Sequence, residues 1–167
     1  MPILGTLLRS MGHPLVPFKS ESQDGGSEVD KEIMAQRQQE LEDHVRNGGT
    51  AAWFPEGRLN PSDPLDVLQF RAGGFTLAAK LDVEVWCIAF VGNQDCWARK
   101  AALGGLPARI SVCIFNLCES SHGFIASSGP GLEHEREASI FLANQAHDAI
   151  QRAVKRSASE LYSAGKE

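Results

Sequence analysis

Glu56 and Arg58, separated by one glycine, follow the apolar stretch Ala51-Ala52-Trp53 in the turn Phe54-Pro55-Glu56-Gly57-Arg58. Proline fixes φ and lacks an amide donor, while glycine reaches positive φ, so the pair bends the chain sharply and aims the Glu56 side chain outward. Arg58 then offers a planar fork of donors on a tight turn, a shape suited to a carboxylate or a phosphate. An anion site is one reading of this turn. The other is a solvated arginine in a surface ion pair that contributes roughly 0–1 kcal/mol.

A second motif follows, Phe70-Arg71-Ala72-Gly73-Gly74-Phe75, leading to Leu77-Ala78. The tandem resembles the glycerolipid acyltransferases typified by lysophosphatidate acyltransferase, in which Phe-Pro-Glu-Gly-Thr-Arg-Ser precedes a Phe-Lys-x-Gly-x-Phe segment and a helix. The resemblance extends with decreasing strength from Met1 to about Leu117. Met1 to Gly5 and Gly12 to Lys19 look like the family's second-motif region; its Arg falls on Phe18, which makes the neighbouring Lys19 either the source of the positive charge or a lone surface lysine. The family's valine-proline strand falls on Val83 to Phe90, with Cys87 in place of the proline. Arg58 stands one position earlier than the family's Arg and Asn60 stands where its Ser would be, a spacing similar to the tafazzin branch.

The family's catalytic Asn-His-x-x-x-x-Asp is absent. The histidines are His13, His44, His122, His134 and His147, and the residues five places on are Phe18, Gly49, Ser127, Ser139 and Arg152. The resemblance implies a chain that begins downstream of its own base, as a truncated gene model or isoform or as a remnant that keeps an acceptor site. Loss of a general base costs roughly 10²–10⁴ in rate, so no useful turnover is expected and no catalytic residue is assigned. By resemblance the substrate-binding residues are Glu56, Gly57, Arg58 and Lys19. Arg58, with Lys19, would hold the phosphate of a lysophosphatidate-type acceptor; Glu56 would orient Arg58 or the glycerol, and Gly57 would admit the acceptor to the main chain. The donor would be acyl-CoA or acyl carrier protein, with no metal or bound organic cofactor. A non-catalytic lysophospholipid binder and an unrelated module with a chance turn motif are the competing readings.

Composition bounds the rest. A chain of 167 residues, 43% hydrophobic, holds one core and is short for two ordinary domains. A net charge of −5 without a basic stripe argues against nucleic acid. Cys87, Cys96, Cys113 and Cys118 have neither Cys-x-x-Cys spacing nor nearby His pairs, so reduced structural thiols are expected. The longest apolar run, Val85 to Val91, is far below the roughly 18–20 residues of a spanning helix, and no signal peptide is visible. Association with a membrane surface, at the endoplasmic reticulum or cytoplasmic face, is implied by the resemblance alone.

The elements that must position the turn read as an α/β arrangement. Ser27 to Arg46 has a capping-box start at Ser27 and Asp30, helical spacing of Val29, Ile33, Met34, Leu41 and Val45, and a Gly48-Gly49 stop. Leu15 to Phe18 and Ala51 to Phe54 flank it as strands, which makes a βαβ unit with parallel pairing. A short helix is expected from about Arg71 through Leu81, where Gly73 and Gly74 mark a helix start or a close backbone approach. Val83 to Val91 and Arg109 to Leu117 complete the sheet. Ser120 to Gly131 reads as a loop, and from Glu133 the stripe Ile140, Phe141, Ala146, Ile150, Ala153, Val154 and Leu161 marks a terminal helix. The expected fold is thus a partial glycerolipid acyltransferase fold, a mostly parallel sheet with flanking helices: residues 1–118 as the α/β part, 119–132 as a Ser/Gly-rich loop, and 133–163 as a helix packed on it.

Overall fold

A computed structural model describes residues 18–21, 27–29, 31–58, 60–61, 63–96, 105–128 and 133–163. The chain divides into two compact units, Met1–Ala52 and Trp53–Glu167.

In the first unit, β1 (Phe18–Glu21) pairs antiparallel with β2 (Ser27–Val29), with a register irregularity between Phe18 and Ser20 where Lys19 falls. The helix α1 (Lys31–Arg46) follows. Its end matches expectation: Gly48 takes φ 85 and donates to the Val45 carbonyl, a left-handed stop that glycine adopts without steric cost. Its start does not, because Ser27 and Val29 pair with β1 instead of opening the helix. The expected apolar stripe is covered only in part, with Leu41 and Val45 half-buried and Ile33 and Met34 exposed. Ala51 to Phe54 forms no strand, so the βαβ unit is not made; Leu15 to Pro17 lie outside the described residues.

The second unit contains β3 (Val85–Val91) and β4 (Ser111–Cys118), close to the strands expected. They pair with each other and run antiparallel, with Ile88 opposite Ile114. Both sheets have two strands and no parallel pair occurs among the described residues, which overturns the mostly parallel sheet. The parallel expectation rests on a βαβ unit joining Leu15–Phe18 to Ala51–Phe54, but Ala51 to Phe54 forms no strand and Phe18 pairs antiparallel with Val29. In the structure burial alternates: Val85, Cys87, Ala89 and Val91 are inside, Trp86, Ile88 and Phe90 outside. Gly92, at φ 97, closes the strand end, and a Cβ there would overlap the Arg109 carbonyl just before β4.

A 3₁₀ turn (Ala72–Phe75) runs into the short α2 (Thr76–Lys80), and a helical turn α3 (Asn93–Cys96) follows β3. The Ser/Gly-rich segment carries a helix, α4 (Ser121–Ser128), where a loop was expected. Its start is built from hydroxyls. Ser120 Oγ accepts from Gly123 N at 2.9 Å as the cap, and buried Ser121 donates to Leu81 O at 3.0 Å while accepting from Val83 N at 3.1 Å. Asp82 accepts from the Ser120 hydroxyl at 2.7 Å and from His122 N at 3.3 Å, and these bonds lower its pKa.

The long α5 (Glu135–Ser163) covers the inner face of the β3–β4 sheet. Its buried positions include Ala138, Leu142, Ala146, Ala153 and Ser157, spaced by four or seven residues, as one helix face requires. Ile140, expected in the stripe, is 42% exposed, and smaller residues take the covered positions. Phe70, Phe75, Val85, Cys87, Ile125 and Leu142 belong to one core cluster; Ala89, Val91, Val154 and Ala158 belong to a second.

Cys87 sits in the first cluster, 5% exposed, where burial and, less so, Cys118 push its thiol up to about 11 from 9.0. An acid whose pKa is higher folded than unfolded stabilises the fold fully below the ordinary value, and the contribution is lost as pH rises through the folded value. Urea unfolding should therefore show stability falling between about pH 9 and about pH 11, with a shallower fall in Cys87→Ala. Equal slopes in the two proteins would show that the thiol does not titrate this way.

Candidate functional site

The turn and the second motif form one piece of structure. Gly57 N donates to Phe54 O at 3.1 Å, closing the turn, and Arg71 N donates to Pro55 O at 2.9 Å, pinning the second motif onto it. Gly57 takes φ 65, the left-handed region that glycine enters at least cost. A Cβ on Gly57 would lie 2.8 Å from Arg71 Nε, so the Arg71 side chain crosses the turn in the space the missing side chain leaves.

Glu56 is not aimed outward. Its Oε2 accepts from Leu68 N at 3.1 Å and the residue is half-buried. The turn's one carboxylate is thus engaged with the protein's own backbone, and it forms no ion pair with Arg58. Arg58 and Arg71 are both exposed, and neither side chain makes a hydrogen bond or ion pair among the described residues. Phe54 beside them is 86% exposed.

Aromatic rings carry the turn into the core. Trp53 meets Phe75 edge-on at 5.4 Å, Phe75 stacks with Phe70 at 6.3 Å, and Phe70 meets the His147 ring edge-on at 5.4 Å. The two glycines of the second motif differ in role. Gly74 lies under the Trp53 indole, which a Cβ would overlap, whereas nothing approaches Gly73.

The segment between the motifs is held by α5. Gln69 Nε2 donates to Asn144 Oδ1 at 2.9 Å, His147 Nε2 donates to Val67 O at 3.1 Å, and Gln151 both accepts from Val67 N at 2.8 Å and donates to Leu65 O at 2.9 Å. Asn144, His147 and Gln151 share one face of the helix by their spacing of three and four. Asn60, which stands at the family's Ser position, donates to Asp63 O at 2.8 Å and to Asp66 O, so it braces this same segment.

Glu56, Gly57 and Arg58 stay together in the turn, with Glu56 facing inward, while Lys19 belongs to β1 of the first unit. Arg71 was not assigned a role by sequence; its signal is its place at the family's Lys in Phe-Lys-x-Gly-x-Phe. The α5 residues were missed because a polar triplet on a helix reads as a solvated face. No described histidine ring is hydrogen-bonded to the turn. His147 Nδ1 lies 3.1 Å from Asp148 Oδ1 while its Nε2 is taken by Val67, His122 Nε2 donates to Ala79 O, and His44 lies in the first unit against Gly49. Among the described residues no cluster of three His, Cys, Asp or Glu could hold a metal ion, and no helix is long and apolar enough to cross a membrane.

Two variants test this construction. Gln151→Leu leaves the Val67 amide and the Leu65 carbonyl without their partner, and a loss of about 1–3 kcal/mol in chemical unfolding is expected. Gly57→Ala strains a left-handed residue by about 1–2 kcal/mol and must push Arg71 off the turn, which altered Arg71 side-chain NMR signals would report. Unchanged stability in both would show that neither contact holds the turn. No protein-family model, no curated protein and no solved structure matches this chain, so the chemistry of the turn rests on its own geometry and on the motif resemblance.

Proposed function

We propose that the chain binds the phosphate of a lysophospholipid at the Gly57 turn, between Arg58 and Arg71, and does not itself transfer an acyl chain. The observation that carries this reading is the inward turn of Glu56. With that carboxylate held on Leu68 N, two guanidiniums are left on one turn with no carboxylate partner among the described residues. Paired arginines favour a dianionic phosphate over a single carboxylate, since each fork can engage two oxygens. Gly57 contributes the room in which Arg71 crosses the turn, and the exposed Phe54 ring gives the glycerol and the first methylenes of the acyl chain an apolar surface beside the charge.

Acyl transfer from acyl-CoA or acyl carrier protein is the second reading, favoured by the tandem motif. It needs a general base at the acceptor hydroxyl, and no described histidine is joined to the turn. Binding needs no such group.

Titration calorimetry with a short-chain lysophosphatidate, kept below micelle formation, tests the proposal. Saturable binding is expected, weakened about ten-fold or more by Arg58→Ala and by Arg71→Ala, in line with charge-assisted hydrogen bonds of about 1.5–3 kcal/mol. Lysophosphatidylcholine, whose phosphate is a monoanion next to a cation, should bind more weakly. No saturable binding, or binding indifferent to the double variant, would remove the site; acyl transfer from labelled acyl-CoA by the wild-type chain would favour the second reading.

A further inference from the structure

We infer that the outer face of the β3–β4 sheet docks a second copy of this chain, sheet on sheet. The face is formed by the cross-strand pairs Trp86 with Asn116, Ile88 with Ile114 and Phe90 with Val112. Trp86 is 57% exposed, Ile88 48%, Phe90 47%, Val112 51% and Ile114 62%, and Ile110 continues the surface at 47%. None of these positions carries a charge. The opposite face is covered by α5, so the sheet is sealed on one side and apolar on the other.

Area and shape both point to a second copy. These half-exposed side chains present on the order of 600 Å² of apolar surface, at the upper end of what an ordinary monomer leaves open. A two-fold axis doubles that to roughly 1,200 Å², where stable interfaces begin. Two pleated faces stacked about 10 Å apart interdigitate as in a β-sandwich, and the same patch meets itself, as an isologous contact requires. The composition, aromatic and aliphatic without charge, is that of an interface centre.

Charge selects the orientation. Glu84 accepts from Trp86 Nε1 at 2.9 Å and marks one end of the face, beside the Val85–Cys118 pair. A two-fold axis running across the strands keeps the two Glu84 carboxylates at opposite ends of the stacked faces, whereas an axis along the strands would bring both to the same end. Among the described residues the face offers no lysine or arginine for anionic headgroups, and Glu84 repels them, which argues against a lipid bilayer as its cover.

Sedimentation velocity on the full chain, from about 1 to 100 µM, spans the affinities expected of so small an interface. A reversible monomer–dimer equilibrium is expected. The double variant Ile88→Thr/Ile114→Thr keeps β-branching at both positions and should weaken the dimer by about ten-fold or more, with an unchanged circular dichroism spectrum. Ile140→Thr, on exposed α5 surface, should leave it intact. Ile114→Cys, near the axis, should be joined by a short bismaleimide into a covalent dimer beyond the background of the native cysteines, a readout that does not depend on the Thr variants folding. A wild-type chain that is monomeric throughout, a dimer indifferent to the double variant, or failure of Ile114→Cys to cross-link would each overturn the inference. A monomer that floats with phosphatidylcholine vesicles would replace the second copy with a lipid surface.

Discussion

The turn exists in its observed form because Leu65 to Gln69, a stretch with no ladder of its own, has its backbone satisfied by side chains. Gln151 takes the Val67 amide and the Leu65 carbonyl, His147 the Val67 carbonyl, Asn60 the Asp66 carbonyl, Asp63 the Leu65 amide and Glu56 the Leu68 amide. Peptide groups away from water must find partners, and in this extended stretch without a neighbouring strand they find them mainly in side chains, the Asp66 amide donating instead to the Asp63 carbonyl. The motif is therefore folded from two sides, by its own carboxylate and asparagine and by a helix that begins about 70 residues later.

Magnitudes decide where Glu56 points. An exposed pair with Arg58 would contribute roughly 0–1 kcal/mol, whereas an amide left without a partner costs about 1–3 kcal/mol. The amide wins, and the charge balance of the turn follows from that local choice. A carboxylate that sequence reading places beside the guanidinium as its orienting partner instead leaves it, and Arg71 comes in across Gly57. The site that results has two cations where the sequence advertised one of each sign.

Local signals in the sequence were legible where the structure depends on local chemistry. The Gly48 stop of α1, the two strands of the second unit, the terminal helix and the close approach at Gly74 all rest on periodicity or on a missing Cβ. Pairing direction was not legible. The run Val85 to Val91 is apolar at every position, so its pattern cannot say whether one face or both are covered, and the parallel sheet expected from the βαβ unit gives way to an antiparallel pair. Ser27 read as a helix cap because its spacing to Asp30 fits one, but pairing with β1 takes it into a strand. The helix at Ser121 was hidden by serines that look like loop and act as cap and hub. Arg71 and the α5 triplet were visible as residues but not as neighbours of the turn, because their partners lie far away in sequence.

Helix α5 joins the sheet and the turn in one cooperative problem. A two-stranded antiparallel pair is marginal in water unless something packs on it, and α5 supplies that cover through alanines and serines whose small size lets the helix come near the strands. The neighbouring face of the same helix carries Asn144, His147 and Gln151 to the segment below the turn. Any displacement of α5 from the sheet must therefore also withdraw the groups that hold Leu65 to Gln69, and Glu56 would lose the Leu68 amide with them. Once released, that carboxylate lies next to two guanidiniums, and an ion pair within the turn would compete with any bound anion. The anion binding proposed for the turn is thus tied to the packing of the sheet, with the conformation of Glu56 as the point of coupling.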